Sequence, residues 1–390
     1  MSTSVLSPWS FNLRHLAAIA AVVNRGSVSA AAGAVHLTQP AVTQAIARVE
    51  SLLGLQLFER RTDGMTPLEP ARALAARIDA AMALIGSRRV TTAQMRAFLA
   101  VADSGSYAGA AVRTGLSQPT LHRALADLSL ILRRVLVERR GRGIALTETG
   151  RRTARSFRLA RAEIEAGLSE AVADGQSGPS RITIGAMPVS RARVLPTAMA
   201  TFNAAHPDVE IIIVEGSHGE LVEPLRDGSV DFMIGALRDP PPGPDLQQRA
   251  LFRDQPIVLA RAGHPLIARA EGGDLPPLAE LARYPWIAPS AGAPLRSGFE
   301  AMFKDQGLEP PIVPIQCGSV MIIREILMQT DFLTLLSRDQ VSVELAAGWL
   351  ASLGEPPGHF ARTIGVTTRA QWRPSVTQAA FIAALESAAA

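Results

Sequence analysis

The sequence predicts a multi-domain chain, two copies of a small all-α unit followed by a larger α/β domain. Three observations carry this reading. The stretch Leu37-Thr38-Gln39-Pro40 returns as Leu116-Ser117-Gln118-Pro119, an offset of 79 that also relates Gly26-Ser27 to Gly105-Ser106 and Glu59-Arg60-Arg61 to Glu138-Arg139-Arg140. It holds without a gap from Leu16/Met95 to Ala71/Gly150, with about a third of positions identical. A period this long indicates a duplicated domain, since solenoid units run only ~20–50 residues. From Arg181 onward, short apolar runs alternate with helical patterns, as expected of an α/β domain with a mostly parallel sheet. Charge divides the same way. Residues 1–180 carry 22 Arg against 13 acids, and the rest 17 basic residues against 22 acids. A basic first part fits a polyanionic partner, and an acidic second part does not.

Composition excludes several classes. At 390 residues and 47% hydrophobic, the chain can bury two to four domain cores. No window approaches the ~20 uninterrupted apolar residues of a membrane helix. Met1-Ser2-Thr3-Ser4 lacks the order of a signal peptide, so a cytoplasmic protein that does not enter the membrane is expected. One cysteine, Cys317, leaves neither an intramolecular disulfide nor a cysteine zinc cluster. The seven histidines show no ligand spacing, and no Gly-x-Ser-x-Gly elbow occurs. Neither a metal, a cofactor nor a catalytic residue is expected, and the chain does not read as an enzyme.

In chain order, Asn12 caps a helix whose stripe is Leu13, Leu16, Ala17, Ile19, Ala20 and Val23. After Gly26-Ser27, the alanine-rich segment Ser29 to Val35 makes a short helix, small enough in its side chains to cross another closely. Thr38 then caps a helix beginning Gln39-Pro40, where a hydroxyl satisfies an orphan N–H and proline loses nothing. Val42, Ile46 and Val49 face inward. Gln39, Ala41, Thr43, Gln44 and Arg48 make an outer face without acids, of the chemistry that meets base edges in a major groove. Helix, small-residue helix, turn and polar helix add up to a helix-turn-helix. Leu57-Phe58-Glu59-Arg60-Arg61 and Thr62 to Leu68 supply a hairpin wing that places Arg60 and Arg61 for phosphates.

Gly26-Ser27, Ala31-Ala32, Leu37 to Thr43, Leu53-Gly54 and Leu57-Phe58-Glu59-Arg60 resemble the N-terminal winged helix-turn-helix of LysR-type transcriptional regulators. The first copy departs at its wing, where Pro67-Leu68-Glu69-Pro70-Ala71 replaces Leu-Thr-x-x-Gly and puts normal wing geometry in doubt. The second keeps Leu146-Thr147-Glu148-Thr149-Gly150 but has Thr120-Leu121-His122-Arg123 in the reading helix and Leu132-Arg133-Arg134 for Leu-Gly. It leads into a long helix, Arg151 to Ala173, at the position of the family's dimerising linker helix, with Asp174 to Ser180 as hinge. The later strands, Arg181 to Gly185, Val209 to Gly216 and Val230 to Gly235, resemble the family's effector-binding domain, two α/β lobes like a periplasmic solute-binding protein.

The expected domains are residues 11–70 and 91–150 as the two winged units, 71–90 as connecting helix and linker, and 151–176 as linker helix. The effector domain spans 181–388, with lobe I formed by 181–258 and 336–388 and lobe II by 259–335. The partners this implies are double-stranded DNA, a small-molecule effector that could be a carboxylate, and further copies of the chain as a dimer or tetramer. DNA contacts are expected from Thr38, Gln39, Pro40, Ala41, Thr43, Gln44, Arg48, Arg60 and Arg61, and from Ser117, Gln118, Pro119, Thr120, His122, Arg123, Arg139 and Arg140. The effector is expected where strand C-termini face an interlobe cleft, at Ser190, Ser290, Gly318 and Ser319, with Arg191 or Arg296 as counter-charge. Alternatives are a regulator in which one copy reads DNA and the other mediates assembly and, outside this class, a solute-binding protein or an enzyme. Copy one is expected to hang beyond copy two through Gly86-Ser87-Arg88-Arg89.

Overall fold

The computed structural model describes residues 7–61, 64–141, 143–172, 181–269 and 275–390. The expected hinge at 174–180 and the wing residues Thr62 and Asp63 lie outside them.

Copy one comprises α1 (Leu13–Arg25), α2 (Val28–Val35), α3 (Gln39–Leu53), the hairpin β1 (Phe58–Arg61) with β2 (Gly64–Pro67), and α4 (Glu69–Ile85). Copy two repeats this as α5 (Thr92–Ser104), α6 (Tyr107–Thr114), α7 (Gln118–Leu132), β3 (Val137–Arg140) with β4 (Gly143–Leu146), and α8 (Glu148–Val172). Ser27 and Ser106 cap α2 and α6, and Thr38 and Ser117 cap α3 and α7, so the duplicated hydroxyls do duplicated work.

The doubted first wing is regular. Phe58 pairs with Pro67 as Val137 pairs with Leu146, the same register at the offset of 79. Pro67 ends its strand, and Pro70 falls in the first turn of α4, where no backbone donor is needed. Arg133 supplies the missing glycine turn in copy two by adopting φ 53°, where Gly54 has φ 70°. A non-glycine residue there stores strain of order 1 kcal/mol.

The remainder is two sheets. β5 (Arg181–Ala186), α9 (Val194–Ala205), β6 (Glu210–Glu215), α10 (His218–Asp227), β7 (Phe232–Ala236) and β8 (Leu246–Asp254) build lobe I. Lobe II follows with β9 (Pro256–Arg261), α11 (Leu278–Leu281), β10 (Trp286–Ala288), α12 (Pro294–Lys304), β11 (Ile315–Gln316), α13 (Val320–Gln329), β12 (Leu333–Ser337), α14 (Ser342–Ala346) and β13 (Leu350–Gly354). The chain then returns through β14 (Arg362–Arg369) and α15 (Val376–Ala389). Strand order is β6-β5-β7-β14-β8 in lobe I and β11-β10-β12-β9-β13 in lobe II.

Two expectations are corrected here. The return to lobe I comes after Gly354, not at 336, because β13 pairs with β9 and keeps 336–354 in the second sheet. Each sheet is mixed, since β14 runs antiparallel to β7 and β9 antiparallel to β12.

Copy one does not hang free. α4 lies along α8, and a single apolar core runs from Phe11 to Ala171 through both copies. Gly86 to Arg89 is therefore a tight turn within one helical body. Gly167 allows the close approach, for a Cβ there would sit 2.8 Å from the Arg77 Cβ and 3.2 Å from Leu74 Cδ1.

Candidate nucleic-acid interface and effector cleft

The outer faces of α3 and α7 stand as the sequence places them. Val42, Ala45, Ile46 and Val49 are buried beneath α3, while Thr38, Gln39, Pro40, Gln44 and Arg48 are exposed and Ala41 and Thr43 half-buried. On α7, Leu121, Leu125 and Leu128 point inward, leaving Ser117, Gln118, Pro119, Thr120, His122 and Arg123 exposed. The caps hold both N-termini. Ala41 N–H donates to Thr38 Oγ1 at 3.4 Å, and Thr120 N–H to Ser117 Oγ at 3.3 Å. The Thr43 hydroxyl donates back to the Gln39 carbonyl at 3.2 Å. His122 stacks on Tyr107, ring centroids 3.6 Å apart, which fixes the imidazole against α6.

Three of the wing arginines are open to solvent. Arg60, Arg139 and Arg140 are exposed at the hairpins, and Arg61 occupies the matching backbone position. Glu50 anchors the first wing by accepting from Leu57 N at 2.8 Å and Phe58 N at 3.2 Å. Copy two has Ser129 at the equivalent place. There Thr147 does the anchoring, donating to the Val135 carbonyl at 2.7 Å and accepting from Gly150 N at 2.9 Å.

The effector set is only partly assembled. β10 and β11 are parallel neighbours, and Cys317 N–H donates to the Ala288 carbonyl at 3.0 Å, so the turns holding Ser290 and Gly318-Ser319 leave the sheet side by side. The turn after β5 touches the turn after β12, which brings strand C-termini of the two lobes face to face. Ser290 and Gly318 are exposed and Ser319 half-buried.

Ser190 departs from expectation. It is fully buried, and its hydroxyl donates to the Met187 carbonyl at 2.8 Å, capping its own turn rather than facing the cleft. Arg191 is paired with Glu215 at the end of β6. Arg296 donates from Nε to Glu300 at 2.7 Å, yet one of its terminal nitrogens, Nη1, is buried without a hydrogen-bond partner. Such a donor is costly unless something accepts from it.

Sequence reasoning missed two features. Arg193 reaches across the lobes to Asp339 at 2.8 Å. Arg77, 6% exposed, donates to Glu170 at 3.1 and 2.5 Å, to Glu163 at 3.3 Å and to the Arg373 and Pro374 carbonyls at 2.9 and 3.1 Å. It closes one side of a cavity of about 2260 Å³ between α8 and lobe I. There burial raises the carboxyl pKa of Asp231 and Glu165 and lowers that of the Arg369 guanidinium. Neither feature has a local signature, because each joins residues far apart in the chain.

Residues 175–390 match the LysR substrate binding domain, and residues 13–72 and 92–151 each match the bacterial regulatory helix-turn-helix protein, lysR family. The chain is 30% identical over 389 residues to the HTH-type transcriptional regulator GalR of Pseudomonas putida, with 96% of each protein covered, so the likeness spans both copies. Two solved structures share the fold. Full-length OxyR from Pseudomonas aeruginosa, as a single-residue variant, aligns with TM-score 0.56 and 19% identity over 76% of this chain and 93% of its own. CbnR complexed with its target DNA aligns with TM-score 0.52 and 20% identity over 76% of this chain and 99% of its own. Among the described residues no helix is long and apolar enough to cross a membrane.

Proposed function

The chain belongs to the LysR family of transcriptional regulators, and we propose that it reads DNA through α3 and α7 while an effector occupies the cleft between its lobes. The observation that carries this is the repeated, capped, exposed face at the start of both helices. Gln39, Ala41, Thr43, Gln44 and Arg48 supply base-edge chemistry in copy one; Gln118, Thr120, His122 and Arg123 supply it in copy two. Thr38 and Ser117, with Pro40 and Pro119, set the helix N-termini against the backbone. Arg60, Arg61, Arg139 and Arg140 add affinity indifferent to sequence. The exposure of the α7 face supports a reading role for copy two over a purely assembling one.

For the effector, Ser290, Gly318 and Ser319 offer polar contacts at the strand ends. The unpartnered Arg296 nitrogen favours an anionic ligand such as a carboxylate. Ser190, buried in its own turn, and Arg191, paired with Glu215, are left out of the contact set. Regulation rather than catalysis is the activity assigned, in the cytoplasm where the DNA lies. Self-association fits Met321, Ile322, Val343 and Trp349, large apolar side chains exposed where α13 and α14 are tied by the Arg324–Glu344 pair.

The test is binding of the full chain to DNA upstream of its own gene across a salt series, with candidate carboxylates added. Steep salt dependence and an affinity shift by a carboxylate that Arg296→Met removes are expected. Salt-insensitive binding would overturn the DNA assignment, and an unaltered carboxylate response in Arg296→Met the effector site.

A further inference from the structure

The two copies bury the same positions. In α1 the buried residues Leu16, Ala18, Ile19, Ala20 and Val22 become Met95, Ala97, Phe98, Leu99 and Val101 in α5, buried at every position. Ala71, Leu74, Ala75, Ile78, Ala81 and Ile85 of α4 correspond to Gly150, Thr153, Ala154, Phe157, Ala160 and Ile164 of α8, again all buried. Local pairs repeat too. Asn24 donates to Asp79 at 2.7 Å, and at the same offset Arg158 donates to Asp103 at 2.5 Å.

Equivalent segments also touch each other. Thr92, at the start of α5, donates to the Phe11 carbonyl, at the start of α1, at 2.8 Å. Residues 11–13 and 90–92 are counterparts, and α4 and α8 are counterparts that lie together. Contact between counterpart segments is the pattern that a near two-fold axis between the copies produces, as in an isologous pair. Such an axis would relate two halves of one polypeptide.

From this, and resting on the DNA-reading role given above, we infer that one chain presents a rigid, pseudo-two-fold pair of heads and recognises two unlike half-sites on one operator. Heads paired by a two-fold read half-sites about one helical turn apart. The faces are not the same. Gln39-Pro40 and Gln118-Pro119 match, so the outer contacts are shared. Thr43-Gln44 is replaced by His122-Arg123, and Arg48 by Asp127. Glutamine suits adenine, and arginine suits guanine. The operator is therefore non-palindromic, with one half read by α3 and the other by α7, at a spacing set by the α4–α8 contact.

The experiment selects binding sites for the full chain from duplexes with a random core of about 40 bp, room for two half-sites a turn apart. The expected product has two different half-sites at one spacing. Gln44→Ala should lose roughly tenfold in discrimination at one half alone, and Arg123→Ala the same at the other half alone. Both residues are exposed, so both variants fold. Inserting about 5 bp, half a helical turn, between the halves should lower affinity at least tenfold. An inverted repeat in which each variant affects both halves would overturn the inference, as would a single half-site or tolerance of the insertion. In those cases DNA reading survives. If nothing is enriched, the DNA assignment fails and the inference fails with it.

Discussion

Replacing Arg77 by methionine should loosen the pair of heads. The guanidinium bridges α4 to α8 through Glu170 and Glu163 and to lobe I through the Arg373 and Pro374 carbonyls. Methionine keeps much of the apolar stem but deprives Glu170 of its bidentate partner. Glu163 retains Arg373 at 3.0 Å. Breaking a dry buried pair from one side costs ~3–5 kcal/mol. The two glutamates are 18% and 17% exposed, so water relieves part of that and about 2–4 kcal/mol is expected. In a multi-domain chain the readout is the transition of the helical body, not a global stability. For a body of this size the loss corresponds to roughly 5–12 °C in a calorimetric scan. Much of it comes from stranded charge, so Arg77→Met with Glu170→Leu should recover at least half the shift. A single variant within about 1 °C of the parent, or a double variant lower than the single, would refute the reasoning.

Three further outcomes are expected. Gly167→Val should lower the same transition, because a Cβ 2.8 Å from the Arg77 Cβ must push two backbones apart at a cost of ~1–3 kcal/mol, more than the helix gains by losing glycine; a stabilised variant would refute the close approach. His264 is buried with Nδ1 accepting from Leu266 N at 3.1 Å, and burial lowers its pKa below the ordinary 6.5. The neutral ring's contribution is thus complete above 6.5 and lost as pH falls from there to the folded value. His264→Gln should flatten, without abolishing, the decline in urea midpoint below 6.5, since His15 and His218 are lowered too. Arg60→Ala should weaken operator and scrambled DNA alike and reduce the salt slope by about 1, measured by fluorescence anisotropy.

Much of this architecture is legible in the sequence because its signals are local or repeated. Thr38 and Ser117 announce helix starts, Val42/Ile46/Val49 announce a buried stripe, and the offset of 79 announces a second copy. The boundary of lobe II was less legible. Leu350 to Gly354 is a short strand whose identity depends on β9, nearly a hundred residues earlier. The head pairing was hidden for a different reason. An isologous contact between repeats needs no new residues, because the apolar stripe that packs a helix on its own copy and the one that packs it on the other read alike. Arg77 has Ser156 as its counterpart, so the buried ion network breaks the repeat and looks like drift until Glu163 and Glu170 are seen beside it.

The same contacts bear on how an effector bound between the lobes would act on the DNA-reading heads. Arg155 of α8 donates to the Arg226 carbonyl at 3.1 Å, Arg158 holds Asp227 at 2.9 Å, and Arg77 holds the segment before α15; all of these partners belong to lobe I. Among the described residues lobe II is coupled to lobe I by the backbone crossings, by the contact of the turns after β5 and β12, and by Arg193–Asp339, whose side chains are 45% and 33% exposed. An exposed pair of that kind contributes ~0.2–1 kcal/mol. A ligand between the lobes shifts their arrangement only by its difference in affinity for the two states, and a tenfold difference, about 1.4 kcal/mol, already exceeds that pair. On that comparison a ligand between the lobes would displace lobe II more readily than it would separate lobe I from the two heads. The ligand would then act less on the spacing of heads within a chain, which α4 and α8 hold, than on how whole two-headed chains are set against one another.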